Sequence, residues 1–302
     1  MRVDVYTPLL LSLLLGAVGP RAGRRGAPAV AARVLAGAAV VSAAATTWSL
    51  LLLAATLVGA APPVVADARE DGRPLPEPVP ETVAFVALAL LLFLAHRFLR
   101  AARAEYLARR TLRLLCEGQP PDTELIVAAS PVAEAFAIPG SAGSPGRILV
   151  TSTMLGALSP EERRVLLAHE RAHLTHRHAR LSTAVSLAGA VNPLLAPVRH
   201  AVVFLVERWA DERAAAAVGD RACAARALAR AALTAGGRRP SRGLGFTDRA
   251  VTRRIAALQI APPPRLWLPA APVLALGALT AMSAADATGD LFQLLEPILV
   301  RG

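Results

Sequence analysis

Residues 165–178 read VLLAHERAHLTHRH and carry four of the chain's six histidines together with one glutamate. Just before them, Ser159-Pro160-Glu161-Glu162 has the chemistry of a helix start. Serine caps the free amides, proline suits the first helical position, and Glu162, three residues past the cap, closes a capping box. The helix predicted from there carries His169 and His173 on one face, one turn apart, as two imidazoles must lie to hold one zinc ion. Glu170 stands beside the first histidine, placed to take a proton from a zinc-activated water rather than to bind the ion. A helix surface can also collect two histidines and a glutamate by chance. The clean cap, and the small Ala168 and Ala172 that permit close packing, favour the His-Glu-x-x-His reading, with Glu170 as the catalytic base.

Such a site needs a third protein ligand. A histidine six residues after His173 is one known solution, but Ala179 occupies that position. His176 and His178 fall at spacings unsuited to ligation and are assigned to a solvated or supporting end of the helix. Further on, VERWADE supplies Glu207 and, four residues later, Asp211, which share a helix face. Glu207 is the candidate third ligand. Asp211 is the candidate acceptor of a hydrogen bond from a ligating histidine, an arrangement that metal sites favour. His200, seven residues before Glu207, is a candidate partner for a developing oxyanion. One zinc ion per chain is expected.

The rest of the chain is too apolar for an ordinary soluble domain: of 302 residues, 54% are hydrophobic, and the mean hydropathy is +0.46. Arginine supplies all 33 basic residues and the net charge is +11. Nucleic-acid binding would account for that charge, but aromatic residues make up only 4% of the chain, and cytoplasmic loops of a membrane protein account for it better, so no nucleic-acid partner is expected. The two cysteines, Cys116 and Cys223, give neither a zinc pattern nor a disulfide framework and read as small buried apolar groups.

Uncharged runs at Val5–Gly19, Val34–Val64, Thr82–Ala95 and Leu266–Ala285 are candidate membrane spans, the first and third short for the task. Arg21, Arg24, Arg25 and Arg33 follow the first run without an acidic residue. The loop over residues 61–82 is proline-rich, extended and acidic on balance, whereas Arg97, Arg100, Arg103, Arg109, Arg110 and Arg113 follow the third run. Positive-inside logic then places the proline-rich loop outside and residues 101–265 in the cytoplasm, leaving 286–302 as a short outer tail. Asp4 and the arginine cluster after the first run favour a retained helix over a cleaved leader. The expected architecture is a multi-pass α-helical membrane protein: three spans in residues 1–100, a cytoplasmic α+β zinc metallopeptidase domain, and a fourth span at 266–285. The domain reads as mostly helical, with a small antiparallel sheet from ELIVAAS, VAEAFAI and RILVTS. A fifth apolar run, Leu181–Val198, is broken by Asn192, Pro193 and Pro197 and reads as a buried or membrane-resting helical hairpin.

HExxH followed by ExxxD on a second helix resembles the gluzincin membrane metallopeptidases, among them the BlaR/MecR-type antirepressor peptidases and the HtpX-like and CAAX prenyl proteases. The order EAFAIPG, RILVTSTML, LSPEERRVLLAHERAH is similar to theirs, while NPL at 192–194 and TRRIAAL at 252–258 resemble BlaR/MecR-type features. The likeness covers roughly residues 120–260 and the flanking spans. It implies a zinc-dependent endopeptidase, with His169, His173 and Glu207 on the metal and Glu170 as base. The implied substrate is a cytoplasmic or membrane protein: a transcriptional repressor in one branch, a damaged membrane protein in the quality-control branch. BlaR-type sensors carry a large penicillin-binding domain after the last span; here only residues 286–302 follow it, so the protease half alone is expected. The lipid bilayer is the second expected partner, and the sequence specifies no oligomeric state.

Two other classes compete. A metal transporter would place polar ligands inside its spans, and these runs hold none apart from His96 at an edge. A non-enzymatic metal-binding sensor or scaffold would have no need of Glu170.

Overall fold

The structure is a computed structural model describing residues 6–59, 80–120, 122–140, 145–236, 244–261 and 270–299. The proline-rich stretch from 60 to 79 and much of the turn PGSAGSPG lie outside the described residues. Helix α1 spans Thr7–Arg25, α2 Pro28–Gly59 and α3 Glu81–Leu114. Strands β1 (Leu125–Ala128), β2 (Ala135–Ile138) and β3 (Arg147–Thr151) follow, then α4 (Ser152–Ala157), α5 (Pro160–Thr175) and α6 (His178–Val191). A single 3₁₀ turn at Pro193–Leu195 leads into α7 (Ala196–Val218), after which come α8 (Arg221–Gly236), α9 (Leu244–Leu258) and α10 (Ala271–Leu299). The protein is mostly helical with one small sheet.

Two helical stretches, Pro28–Leu57 and Glu81–Leu114, are long and apolar enough to cross a membrane. Several helices outrun the runs that announced them. Helix α1 continues through Arg21, Arg24 and Arg25, so these arginines close a helix rather than fill a loop, where cations complement the exposed carbonyls. Helix α3 has 34 residues and ends at Leu114, so the expected domain boundary at residue 100 falls inside a helix. The alanines, leucines and arginines after Ala95 are all good helix formers and nothing interrupts them. The last apolar run does not stop at Ala285 either: α10 continues to Leu299.

The sheet order is β1-β3-β2, with β2 antiparallel to β3 but β1 parallel to it. The expected wholly antiparallel sheet is therefore a mixed one. The chain leaves β1, crosses to the far edge to form β2, and only then returns to fill the centre with β3, so first and third strands run the same way. Because β3 is covered on both faces, all five of its residues are buried. Ile148, Val150, Met154 and Leu158 pack there with Leu166 and Leu167 of α5, fixing the helix to the sheet.

The fifth apolar run folds as the broken helix its Asn-Pro suggests. Helices α6 and α7 meet at Asn192 and share one core with α1, α2 and α10, built from Leu15, Leu35, Val185, Leu195, Val198, Val202, Leu205 and Val273. Helix α7 lies against α1 in the same sense: Gly16 meets the turn, Gly19 meets Val198, and Gly23 meets Leu205. At Gly16 the approach is so close that a Cβ would stand 2.7 Å from the Leu194 carbonyl oxygen, so glycine is required. Asn192 is 1% exposed. Its amide donates to Ser12 Oγ at 2.9 Å and Thr46 Oγ1 at 3.0 Å, while its carbonyl oxygen accepts from the Leu194 amide at 3.1 Å. Ser12 and Ser42 are themselves 2.7 Å apart. This network satisfies every polar atom of the buried asparagine side chain and pins the α6–α7 turn between the first two helices.

Candidate metal centre

Helix α5 begins as its sequence dictates. Ser159 Oγ accepts from the Glu162 amide at 3.3 Å, and the Glu162 carboxylate accepts from the Ser159 amide at 2.9 Å. Ser159→Ala is expected to cost about 1 kcal/mol, read as a lower thermal midpoint with the chemistry intact; an unchanged midpoint would show that the box does not hold the helix.

From that start, His169 and His173 face α7. Their Nε2 atoms lie 3.1 Å apart, and the two Glu207 carboxylate oxygens lie 3.6 Å from His169 Nε2 and 3.6 Å from His173 Nε2. Two ligands held about 2.0–2.1 Å from one tetrahedral zinc ion stand about 3.3 Å from each other. The observed separations bracket that value, and the nitrogen-nitrogen-oxygen donor set suits zinc, so the three residues fit the ion. Among the described residues these are the histidines, cysteines and acids gathered closely enough to hold a metal, with ligand atoms within 4.8 Å of one another.

Asp211, four residues beyond Glu207 on α7, lies where the shared face predicts: Oδ1 is 3.1 Å from His169 Nδ1. Glu170 is buried on the adjoining side of α5, where the nearby Ala137 backbone of strand β2 favours its ionised form. As β2 pairs only with β3, its other edge is open among the described residues.

Arg254 of α9 completes the arrangement and escaped the sequence reading. Its Nε and Nη2 each donate to an Asp211 oxygen at 2.7 Å, and its Nη1 lies 3.0 Å from Glu207 Oε2. One buried guanidinium therefore orients both carboxylates of α7 by a rigid fork that lysine cannot reproduce.

The electrostatics follow. Burial would raise the pKa of Glu207, but His169, Arg254 and His173 overcome it and hold the carboxyl well below its usual range. Asp211 is likewise depressed: burial opposes ionisation, and the hydrogen bonds from Arg254 and His169 prevail. Burial would lower the His169 pKa, yet hydrogen bonds to Asp211 and Glu207 raise it to about 10. His173, desolvated and beside a positive His169, falls to about 4. The carboxylates thus demand positive charge at the point the histidines face, a demand that a divalent cation meets on displacing the proton. Glu170 moves the other way, raised chiefly by burial and also by Glu207, which makes it a stronger proton acceptor than an exposed carboxylate.

The other two cluster histidines do not form a solvated helix end. Arg177 adopts the left-handed conformation, φ 53°, so α5 stops and α6 starts with His178 turned back under it. A non-glycine residue held there costs of order 1–3 kcal/mol, which surrounding packing must offset. His178 is buried, with Nδ1 3.1 Å from His173 Nδ1, and burial lowers its pKa to about 3. His176 is half-buried and stacks on Trp209, ring centroids 4.6 Å apart. His200 is not brought into the group: it is exposed on α7, 3.0 Å from Arg199 Nη2. Seven residues restore the helix face but displace it about 10 Å along the axis from Glu207. Cys223 is buried as expected, whereas Cys116 is only half-buried.

Residues 101–205 match the profile of Peptidase family M48. No curated protein and no solved structure matches the chain. The family match supports a gluzincin-type metallopeptidase. It ends two residues before Glu207, so the places of Glu207, Asp211 and Arg254 rest on geometry alone.

Proposed function

We propose that the chain is a membrane-held zinc endopeptidase, hydrolysing peptide bonds of a cytoplasmic or membrane protein, with His169, His173 and Glu207 holding one zinc ion and Glu170 as base. The observation that carries this reading is the convergence of those three donor side chains beside a buried glutamate of α5, next to a strand whose outer edge is open among the described residues. Bound there, zinc supplies Lewis-acid chemistry, polarising a peptide carbonyl and lowering the pKa of a water toward neutrality. Glu170 accepts the proton of the attacking water and returns it to the departing amine. Asp211 keeps the His169 ring turned toward the ion, and Arg254 holds Asp211 and Glu207 in register. The free edge of β2 takes an extended substrate by main-chain pairing, setting the scissile bond beside Glu170. His200 is left without a part in this scheme.

The same reading sets the domain in space. With α1 and α2 in the bilayer and their arginine-bearing ends in the cytoplasm, Asn192 lies beside Ser12, about 20 Å along α1 from Arg25. The α6–α7 hairpin then enters the membrane from the cytoplasmic side, and Arg33, 4.3 Å over the Trp209 ring, puts the metal centre at the membrane surface. The test is a reporter active only outside the membrane, expected to be active when fused near Pro76 and silent when fused near Gly118. The reverse pattern would put the centre outside and overturn the proposed substrate compartment. Two substrate classes suit the site, a transcriptional repressor and a damaged membrane protein. Fragments that vanish from cells carrying Glu170→Gln would distinguish them.

A further inference from the structure

We propose that His178 is a positioning residue for the metal centre: its Nδ1 accepts the hydrogen bond from His173 Nδ1 that turns His173 Nε2 toward the ion. The inference rests on the reading of His169, His173 and Glu207 as ligands. The two Nδ1 atoms are 3.1 Å apart, so one proton lies between them and only one ring can carry it. If His178 donated, His173 would carry its own proton on Nε2 and present no lone pair at the site. With His173 donating, its Nε2 is free to ligate, and the bond makes that nitrogen a better donor. The cost is visible in His178, whose Nε2 then bears the proton and is buried with no hydrogen-bond partner. A fold that required only bulk here would gain by placing an apolar ring.

Three further features keep the acceptor in place. Arg177 adopts its left-handed conformation to bring His178 back against α5. The His178 ring lies 4.5 Å from that of Trp209. Trp209 is itself 5% exposed and covered by Arg33 from α2. The two ligating histidines therefore have separate acceptors, Asp211 for His169 and His178 for His173. This division leaves His173 beside a neutral acceptor while the negative charge collects on the other side of the site.

The test uses the full-length chain in detergent with zinc as the probe, its affinity measured by competition with a chelator. His178→Phe keeps a ring against Trp209 but removes the acceptor, whereas His178→Asn loses volume but offers an oxygen near the position of Nδ1. The expected result is zinc affinity about 10- to 100-fold weaker in the phenylalanine variant, with most of that loss recovered in the asparagine variant. The cobalt-loaded phenylalanine variant should also show a shifted absorption spectrum, and its metal-stripped form should melt with the wild type. Wild-type affinity in His178→Phe, or equal losses in both variants, would overturn the proposal and leave the zinc reading standing. A wild-type chain that holds no zinc would overturn both.

Discussion

Glu170→Gln is expected to lower peptide cleavage by about 10²–10⁴-fold while zinc stays bound, because general-base assistance is lost and all three ligands remain. The substitution is nearly isosteric, so the packing of α5 against the sheet should survive. Rate and metal content must therefore separate. A Glu170→Gln chain that cleaves at the wild-type rate would remove Glu170 from the reaction. A chain that never cleaves, wild type included, would favour the sensor or scaffold reading.

The second large effect belongs to Arg254→Leu. Arg254 and Asp211 are both well buried, their side chains 12% and 6% exposed, and Glu207 shares the same guanidinium. Removing the guanidinium leaves two carboxylates with only the His169 cation between them in a desolvated site. Losing one partner of such a set typically costs about 3–5 kcal/mol. A lowered thermal midpoint is the expected observation, and added zinc should recover part of the loss by restoring positive charge to Glu207. If Arg254→Leu melts with the wild type, with and without zinc, the guanidinium does not organise the centre.

Arg254 shows where the sequence stops being legible. It is one of 33 basic residues, sits 43 positions beyond Asp211, and adjoins Arg253, which looks no different on paper. Only the packing of α9 against α7 selects it. His169, Glu170 and His173 were legible because helical spacing converts directly into a shared face, and the capping box fixed where that helix starts. Glu207 and Asp211 were legible one step less directly, through their own spacing together with the family likeness. His178 was left between a solvated and a supporting place, and the structure gives it the supporting one; the sequence could not choose because Arg177 carries no sign of a left-handed turn, which glycine or asparagine would have announced. The sheet failed for a different reason. Three short apolar strands reveal their existence by composition, but parallel or antiparallel pairing depends on the order in which they fill the sheet, which local pattern does not encode. The α6–α7 hairpin was readable at its break, since Asn192-Pro193 interrupts an apolar run. Its attachment to α1 and α2 through Ser12 and Thr46 was not, because lone hydroxyls in apolar helices give no partner away.

The central claim is that His169, His173 and Glu207 hold one zinc ion. Metal analysis of the purified Glu207→Gln chain beside the wild type tests it most directly. The expected result is one zinc per wild-type chain and a sharp loss in Glu207→Gln, where a neutral amide replaces the charged oxygen donor. Full zinc stoichiometry in Glu207→Gln would contradict the account.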